Sequence, residues 1–329
     1  MSIERTDMAK LKHIFSAMLG LALCIMSVLA IAAIPKSERK VLTTLYLATG
    51  GDGWNINNNW CNGTCPLIGT PKFNAPGTEC TWAHVTCNAD QTHVTVLVLG
   101  DNNLVGQLTS LQGLTQLQAF AASWNNLSGS IPDFSGMTSL QDIDLSTDQL
   151  SGSFPDLTKL TGLYHIDVSF NQLSGSIPDF SNLPLLEGIN ANNNQLSGTL
   201  PPLVGLPQLQ ELQLSNNRFS GAMPTFAGLY DLDLITLDGN LLTGSLPDLS
   251  DLNVGIFYAD HNQLTGSVTP TNNLDIARIC PNPLSLEPNA NDAAWDYATR
   301  NTPWWGPAGE GCDHIFSDPF GEYSNTKPL

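Results

Sequence analysis

The stretch that decides the fold runs from residue 163 to residue 178 and reads LYHIDVSFNQLSGSIP. Its residues fit the pattern L-x-x-L-x-L-x-x-N-x-L-S-G-x-I-P, and the same pattern returns along the chain. The asparagine, replaced once by aspartate, recurs at spacings of 23 residues six times and then of 22. Eight copies in register are too many for coincidence. The equivalent residues are Asn102, Asn125, Asp148, Asn171, Asn194, Asn217, Asn240 and Asn262.

A period of about 20–29 residues with this signature is typical of a leucine-rich repeat. One repeat supplies a short strand and a turn, and it buries its apolar side chains only by stacking on its neighbours. The sequence therefore predicts an α/β solenoid, a right-handed leucine-rich repeat superhelix with a parallel concave β-sheet. We expect the asparagines to point inward and to bond the turn backbone. The acids that follow repeat prolines are expected to cap short helical turns on the convex side. These acids are Asp133, Asp156, Asp179 and Asp248.

The L-S-G-x-I-P form resembles the plant-type leucine-rich repeat class. That class supplies the ectodomains of receptor-like kinases and receptor-like proteins, polygalacturonase inhibitors and, in similar form, protist surface antigens. The segment before the repeats, with Trp54, Trp60 and CTWAHVTC at residues 80–87, is similar to the N-terminal cap of the class. Ala83 and His84 depart slightly from the usual C-x-W-x-G-V-x-C. The resemblance covers roughly residues 37–268 and implies an extracellular recognition domain.

Two caps are expected to cover the ends of the solenoid, which would otherwise expose apolar faces. Ser37 is positioned to cap a helix that ends near Thr49. The cap motif of the resembled class implies that Cys80 pairs with Cys87, which leaves Cys61 for Cys65, although sequence alone allows three connectivities. Cys280 and Cys312 flank a Trp-rich stretch and are expected to staple the C-terminal cap.

An uncharged run at residues 14–34, IFSAMLGLALCIMSVLAIAAI, follows two lysines and holds a small-x-small pattern at residues 30–32. It predicts a secretory signal peptide, and the alternative is a retained signal anchor, since about 20 apolar residues span a bilayer. Without Cys24 in this run, the cysteine count is even, as expected of an exported protein. The expected location is secreted or at the extracellular cell surface, with glycosylation at the sequons of Asn62 and Asn126.

The predicted organisation has four parts. Residues 1–32 are the signal peptide or anchor, and residues 33–92 are the N-terminal cap. Residues 93–268 are the eight repeats, and residues 269–329 are the C-terminal cap and tail.

The charge is strongly one-sided. The chain carries 30 acidic against 12 basic side chains, a net charge of −18. Residues 93–268 hold 16 acidic and 2 basic side chains, a net charge of −14. Because phosphate binding needs clustered Lys and Arg, this balance excludes nucleic acid as a partner.

Side chains that alternate with the core leucines of each strand should face outward on the concave sheet. This places Asp142 beside His165 and Asp144 beside Asp167, and puts a column of serines, Ser146 and Ser169 among them, on the same face. Exposed aromatic side chains there favour ligand binding. The expected ligand-binding residues are Trp124, Asp142, Asp144, His165, Asp167, Phe170, Asn190, Glu211, Gln213 and Tyr258.

The acidic cluster has three interpretations: a divalent-cation site, a surface for a basic partner, or a solvated acidic face. A hydrolytic triad of Asp142, His165 and Ser146 or Ser169 would lack an oxyanion hole on an open sheet. The sequence therefore predicts a non-enzymatic recognition module that binds a protein or peptide, with a glycan-binding, adhesion or surface-coat protein as the alternative. No catalytic residue, metal or cofactor is expected. Membrane contact is expected only through the N-terminal segment, if it is uncleaved.

Overall fold

The computed structural model describes residues 33–63, 71–266, 274–280 and 282–284. The predicted leader lies outside these residues, as do Cys65 and Cys312. Within the described part of the chain, no helix is both long and apolar enough to cross a membrane.

One long sheet, here called the concave sheet, takes a strand from each of the eight repeats, one from the N-terminal cap and one from the segment that follows the repeats. Its first pair is antiparallel, and every later strand is added in parallel to the one before. The strands, in spatial order, are β1 (Val85–Cys87), β2 (Val94–Val98), β4 (Ala119–Ala121), β6 (Asp142–Asp144), β8 (His165–Asp167), β10 (Gly188–Asn190), β12 (Glu211–Gln213), β14 (Leu234–Thr236), β16 (Ile256–Tyr258) and β18 (Ile276–Arg278).

The L-S-G segments build a second parallel sheet, so each coil contributes two strands. In every one of these strands except the first, the leucine, or the phenylalanine that replaces it, is buried and the residues on either side of it are less buried. The strands are β3 (Val105–Gln107), β5 (Asn126–Ser130), β7 (Gln149–Ser153), β9 (Gln172–Gly175), β11 (Gln195–Gly198), β13 (Arg218–Ala222), β15 (Leu241–Gly244) and β17 (Gln263–Leu264).

The core lies between the two sheets and runs the length of the solenoid. In the fourth repeat, Leu163, Ile166, Val168, Leu173 and Ile177 are all buried, and the equivalent side chains of the other repeats repeat this pattern. One continuous cluster of buried apolar residues links the N-terminal cap to the last coils. The sequence prediction of a leucine-rich repeat solenoid is confirmed.

The asparagines form a ladder between adjacent coils, as predicted. Asn194 is typical: its Nδ2 donates to the carbonyl of Val168 at 2.9 Å, and its Oδ1 accepts from the amide of Leu173 at 2.9 Å. The first ladder residue, Asn102, bonds Ile56 of the N-terminal cap instead of a preceding repeat. The ladder also extends to Asn282, which we did not expect because its spacing from the preceding asparagine is only 20 residues.

The N-terminal cap packs one helix, α1 (Lys36–Ala48), over a cluster of aromatic rings. The prediction that Ser37 caps this helix is wrong, since the helix starts at Lys36 and Pro35 holds the N-cap position without a side-chain bond. Buried Glu38 joins the cap to the concave sheet, because it accepts from His93 Nδ1 at 2.6 Å and from the amide of Val94 at 2.8 Å. These bonds hold the cap against the end of the solenoid.

The acids after the repeat prolines cap turns, not helices. Asp179 Oδ1 accepts from the amide of Ser181 at 2.8 Å, and Asp133, Asp156 and Asp248 make the same contact two residues on. The expected helical turns are absent from the described convex side, where each connection is a pair of short turns ending in the next strand. Between Ser130, where β5 ends, and Asp142, where β6 begins, the chain forms two turns and no helix.

The structure also bears on the cysteines and the sequons. Cys80 and Cys87 are disulfide-bonded, as the cap resemblance implied. Cys61 and Cys280 are disulfide-bonded as well, and the partners expected for them lie outside the described residues. Asn62 and Asn126 are both exposed, which leaves their glycosylation a prediction.

Candidate ligand site on the concave sheet

The parallel register brings the predicted acidic cluster together. Asp142 pairs in register with His165, and Asp144 pairs with Asp167, on the neighbouring strands β6 and β8. Each repeat adds one strand in the same register, so residues 23 apart in sequence become neighbours about 4.8 Å apart. The adjacency expected from the sequence is therefore present.

His165 and Asp142 form a half-exposed pair. Nδ1 of His165 lies 2.9 Å from Oδ1 of Asp142, and this hydrogen bond raises the pKa of the histidine, with the nearby Asp167 and Asp144 charges adding to the effect. Gly188 on the next strand makes room for the imidazole, since a Cβ there would lie 3.0 Å from His165 Cδ2. The position of the imidazole is therefore set by the hydrogen bond to Asp142 on one side and by the space at Gly188 on the other.

Asp144 and Asp167 lie side by side and take their hydrogen bonds from neutral groups. Asp144 accepts from the Ser123 and Ser146 hydroxyls at 2.6 and 2.7 Å. Asp167 accepts from Asn190 Nδ2 at 2.9 Å, and burial, reinforced by Asp144, raises its pKa. Two carboxylates whose hydrogen bonds come from neutral groups, with His165 as their basic neighbour, give this part of the sheet a local negative potential.

The serine column is not an exposed column, contrary to our expectation. The side chains of Ser123, Ser146, Ser169 and Ser215 are buried. These hydroxyls are short and lie where the strand bends into the turn, so adjacent carboxylates cover them, as in the bond from Ser146 to Asp144. A hydrolytic triad does not assemble, because that hydroxyl is directed to Asp144 and not to His165.

One position per repeat, just after the serine, adopts a left-handed backbone, and we call this set the αL column. Asn193, Asn216 and Gly239 occupy it in three repeats, and these residue types accept a positive φ at low cost. Trp124 (φ 58°) and Phe170 (φ 54°) hold the same conformation with bulky side chains. The remaining members of the column are Asp101, Thr147 and His261.

The two aromatic members of the αL column are open to solvent. Trp124 is 66% exposed and Phe170 is 48% exposed. Their backbone amides donate to the next repeat, at 2.9 Å to the carbonyls of Ser146 and Asn192, as the equivalent amides of other repeats do. The fold therefore requires the backbone hydrogen bond at this position but does not require a particular side chain. The two rings stand two strands apart, about 10 Å.

The exposure of these two aromatic side chains was expected from the sequence, but their left-handed backbone was not. The signal was available, because asparagine and glycine recur in the same column and both favour positive φ.

An amide-rich section follows the acidic cluster toward the C-terminal end. Nε2 of Gln213 donates to Glu211 Oε2 at 2.9 Å, and Nδ2 of Asn192 donates to Gln213 Oε1 at 3.3 Å. Asn190 joins this network to Asp167. The section offers amide donors and acceptors with one exposed carboxylate, that of Glu211.

Tyr258 is less available than the sequence suggested. The Arg278 guanidinium lies over its ring, 3.8 Å from the centroid, and the tyrosine is half-buried. Arg278 belongs to β18, a strand that lies beyond the repeats counted from the sequence. Asp260, two residues after Tyr258, is buried, and that burial raises its pKa.

The described part of the chain contains no preformed metal site. No group of three or more His, Cys, Asp or Glu side chains there is arranged to hold a metal ion. The acidic cluster is instead held by hydrogen bonds from serine, asparagine and histidine.

Comparison with known proteins agrees with this architecture. Residues 162–183 and 208–229 match the family model described as Leucine Rich Repeat. No curated protein sequence matches the chain.

Solved structures with the same architecture are numerous. The plant peptide hormone receptor RGFR1 in complex with RGF2 is 32% identical, with a TM-score of 0.50, over 53% of this chain and 30% of that chain. The PEPR1–AtPEP1 structure is 26% identical, with a TM-score of 0.61, over 76% of this chain and 36% of that chain. This chain therefore spans about a third of those two chains. A plant ice-binding protein shares the fold at 24% identity and a TM-score of 0.53, over 81% of this chain and 94% of that chain.

Proposed function

We propose that this chain, a plant-type leucine-rich repeat solenoid, is an extracellular recognition module that binds an extended peptide or protein segment across its concave sheet. The observation that carries the proposal is the pair of exposed aromatic side chains at αL positions. A non-glycine residue in a sparsely populated backbone region costs about 1–3 kcal/mol. The fold gains nothing from Trp124 or Phe170 there, so a ligand supplies the reason for them.

Charge supports a basic ligand. Along the solenoid, Asp144 belongs to the repeat between those of Trp124 and Phe170, and Asp167 belongs to the repeat of Phe170. The hydrogen bonds of both carboxylates come from neutral groups. A Lys or Arg side chain of a ligand would meet both carboxylates and the faces of the flanking rings, a favourable setting for a cation. The plant peptide hormone receptor RGFR1, in complex with RGF2, shares this architecture, as does the PEPR1–AtPEP1 structure.

An extracellular setting fits the same proposal. The Cys80–Cys87 disulfide is of the kind that persists in oxidising compartments. Together with the predicted leader, it supports a secreted or surface-anchored protein.

The experiment is selection of binders from a random peptide library on the immobilised full chain. We expect enrichment of sequences with Lys or Arg near an apolar residue. Selected peptides should bind a Trp124→Ala/Phe170→Ala variant at least tenfold more weakly, and their affinity should fall as salt rises.

The matched control is Tyr230→Ala, since Tyr230 is 69% exposed but lies outside the concave sheet. It should leave peptide affinity unchanged. Equal affinity for the concave variant and for wild type would contradict the proposal. Binding on a glycan array that is lost with Trp124→Ala/Phe170→Ala, without any selected peptide, would favour the glycan-binding alternative.

The second sheet supports a second candidate function, binding to ice. Its exposed residues fall at two equivalent positions of each repeat, where most members are uncharged and polar, and neighbouring strands of the sheet lie about 4.8 Å apart. Hydroxyl and amide groups both donate and accept hydrogen bonds, as the regular water lattice of an ice surface requires. Arg218, Leu241 and Ala222 interrupt the pattern. The polar members are Asn126, Gln149, Gln172, Gln195 and Gln263 at one position, and Ser130, Ser153, Ser176, Thr199 and Ser245 at the other.

The test is the gap between melting and freezing temperatures of ice in the presence of the full chain. A gap that disappears with Ser153→Tyr/Ser176→Tyr and persists with Trp124→Ala/Phe170→Ala would support this candidate. The absence of any gap in wild type would dismiss it.

A further inference from the structure

The asparagine ladder has one acidic member, Asp148. Its Oδ1 accepts from the amide of Leu127 at 2.7 Å, as Oδ1 of Asn171 accepts from Leu150 at 2.8 Å. The carboxyl group is therefore oriented like the amides of the ladder. Its second oxygen, Oδ2, takes the place of an amide nitrogen.

That nitrogen is a donor everywhere else in the ladder. One repeat earlier, Nδ2 of Asn125 donates to the carbonyls of Leu99, Ala122 and Ser123 at 2.8–3.0 Å. By repeat equivalence, Oδ2 of Asp148 faces the carbonyls of residues 122, 145 and 146. It is buried and has no hydrogen-bond partner. Two acceptors that face each other are stabilised only when a proton lies between them.

The surroundings do not compensate a negative charge at this place. Asp144, on the strand that precedes it, is itself acidic, and it reinforces the effect of burial. The ladder neighbours on the two adjacent coils, Asn125 and Asn171, are neutral. Burial, with Asp144 adding to it, raises the pKa of Asp148 to about 7, against the hydrogen bond from Leu127.

We propose that Asp148 is a proton-operated joint in the asparagine ladder. As a neutral acid, it donates its O–H to a ladder carbonyl and completes the ladder as an asparagine would. When the proton leaves, a carboxylate oxygen faces backbone carbonyls, and the stacking of the third repeat on the second loosens. The joint lies between the repeats of Trp124 and Phe170, but the inference does not depend on the proposed function.

The sign of the pH effect follows from the raised pKa. A carboxyl group whose pKa is higher in the folded than in the unfolded state contributes stability at pH below the unfolded value, about 4, and loses it as pH rises through the folded value. The urea midpoint of the full chain should therefore fall between about pH 5 and about pH 9. In Asp148→Asn the midpoint should fall less over this interval than in wild type, because only the contributions of Asp167, Asp260 and His165 remain, and at the alkaline end it should exceed that of wild type.

The matched control is Asp156→Asn in the same repeat. Asp156 is exposed, and its pKa is lowered by hydrogen bonds from Thr158, so it stays ionised throughout this interval. The control should keep the alkaline decline of wild type. A direct measurement is the ¹³C chemical shift of the Asp148 carboxyl in wild type, which should titrate near neutral pH. Parallel declines in wild type and Asp148→Asn, or titration of this carboxyl near pH 4, would overturn the proposal.

Discussion

Removing one amide from the middle of the ladder should cost far more stability than removing an exposed amide of the adjacent coil. Asn194 is buried and makes four hydrogen bonds. Its Oδ1 is the acceptor for the Leu173 amide, and its Nδ2 is shared by the carbonyls of Val168, Ala191 and Asn192 at 2.9–3.3 Å. Asn194→Ala removes all of these bonds and leaves a small void.

The size of the stability loss depends on which bonded groups are left without any hydrogen-bond partner. The three carbonyls keep another donor each, from Asn171, Asn217 and Phe170. The Leu173 amide loses its acceptor, and a buried, unsatisfied donor costs about 1–3 kcal/mol. The lost amide donors add about 1 kcal/mol. We therefore expect the free energy of unfolding to fall by about 3 kcal/mol.

The assay is urea unfolding followed by circular dichroism, with Gln172→Ala as the control. Gln172 is exposed on the second sheet, so its replacement should change the free energy of unfolding by less than about 0.5 kcal/mol. Hydrogen exchange of the Leu173 amide should also accelerate in Asn194→Ala. A loss below about 1 kcal/mol, with unchanged exchange at Leu173, would refute the reasoning that the ladder amide satisfies buried backbone groups.

Three further predictions follow from the same structure. Gly106→Ala should lower the free energy of unfolding in urea by more than about 2 kcal/mol. Gly106 has a φ of 121°, and a Cβ there would collide with the carbonyl of Ala48 in the N-terminal cap. Equal stability of the variant and wild type would contradict this. Phe170→Asn should raise the free energy of unfolding by about 1 kcal/mol, because asparagine adopts the αL backbone at a lower cost than phenylalanine. The same change should weaken peptide binding. Asp142 raises the pKa of His165, so the stability that this pair contributes is complete below about pH 6.5 and is lost as pH rises through the raised pKa. In Asp142→Asn, NMR titration of the imidazole should therefore show a lower pKa than in wild type.

The sequence was enough to place several site residues relative to one another. Because the repeat is regular, the 23-residue spacing alone puts Asp142 beside His165 and Asp144 beside Asp167, and the structure has these neighbours. The same regularity was misleading for the serines, since alternation predicts an outward direction but does not say that a neighbouring carboxylate covers a short hydroxyl. It also could not show that Arg278, from a strand beyond the recognised repeats, lies over Tyr258.

The sequence by itself determined the solenoid, the inward asparagines and the acidic charge of the repeats. These properties depend on local periodicity, which the chain states eight times. Tertiary structure decided what depends on contacts between coils. It built the second sheet in place of convex helices, left Trp124 and Phe170 exposed on a left-handed backbone, and buried the second oxygen of Asp148 without a hydrogen-bond partner. The physical reason is that period fixes which residues are neighbours, whereas burial and hydrogen bonding between neighbours depend on the shapes of the side chains that stacking brings together.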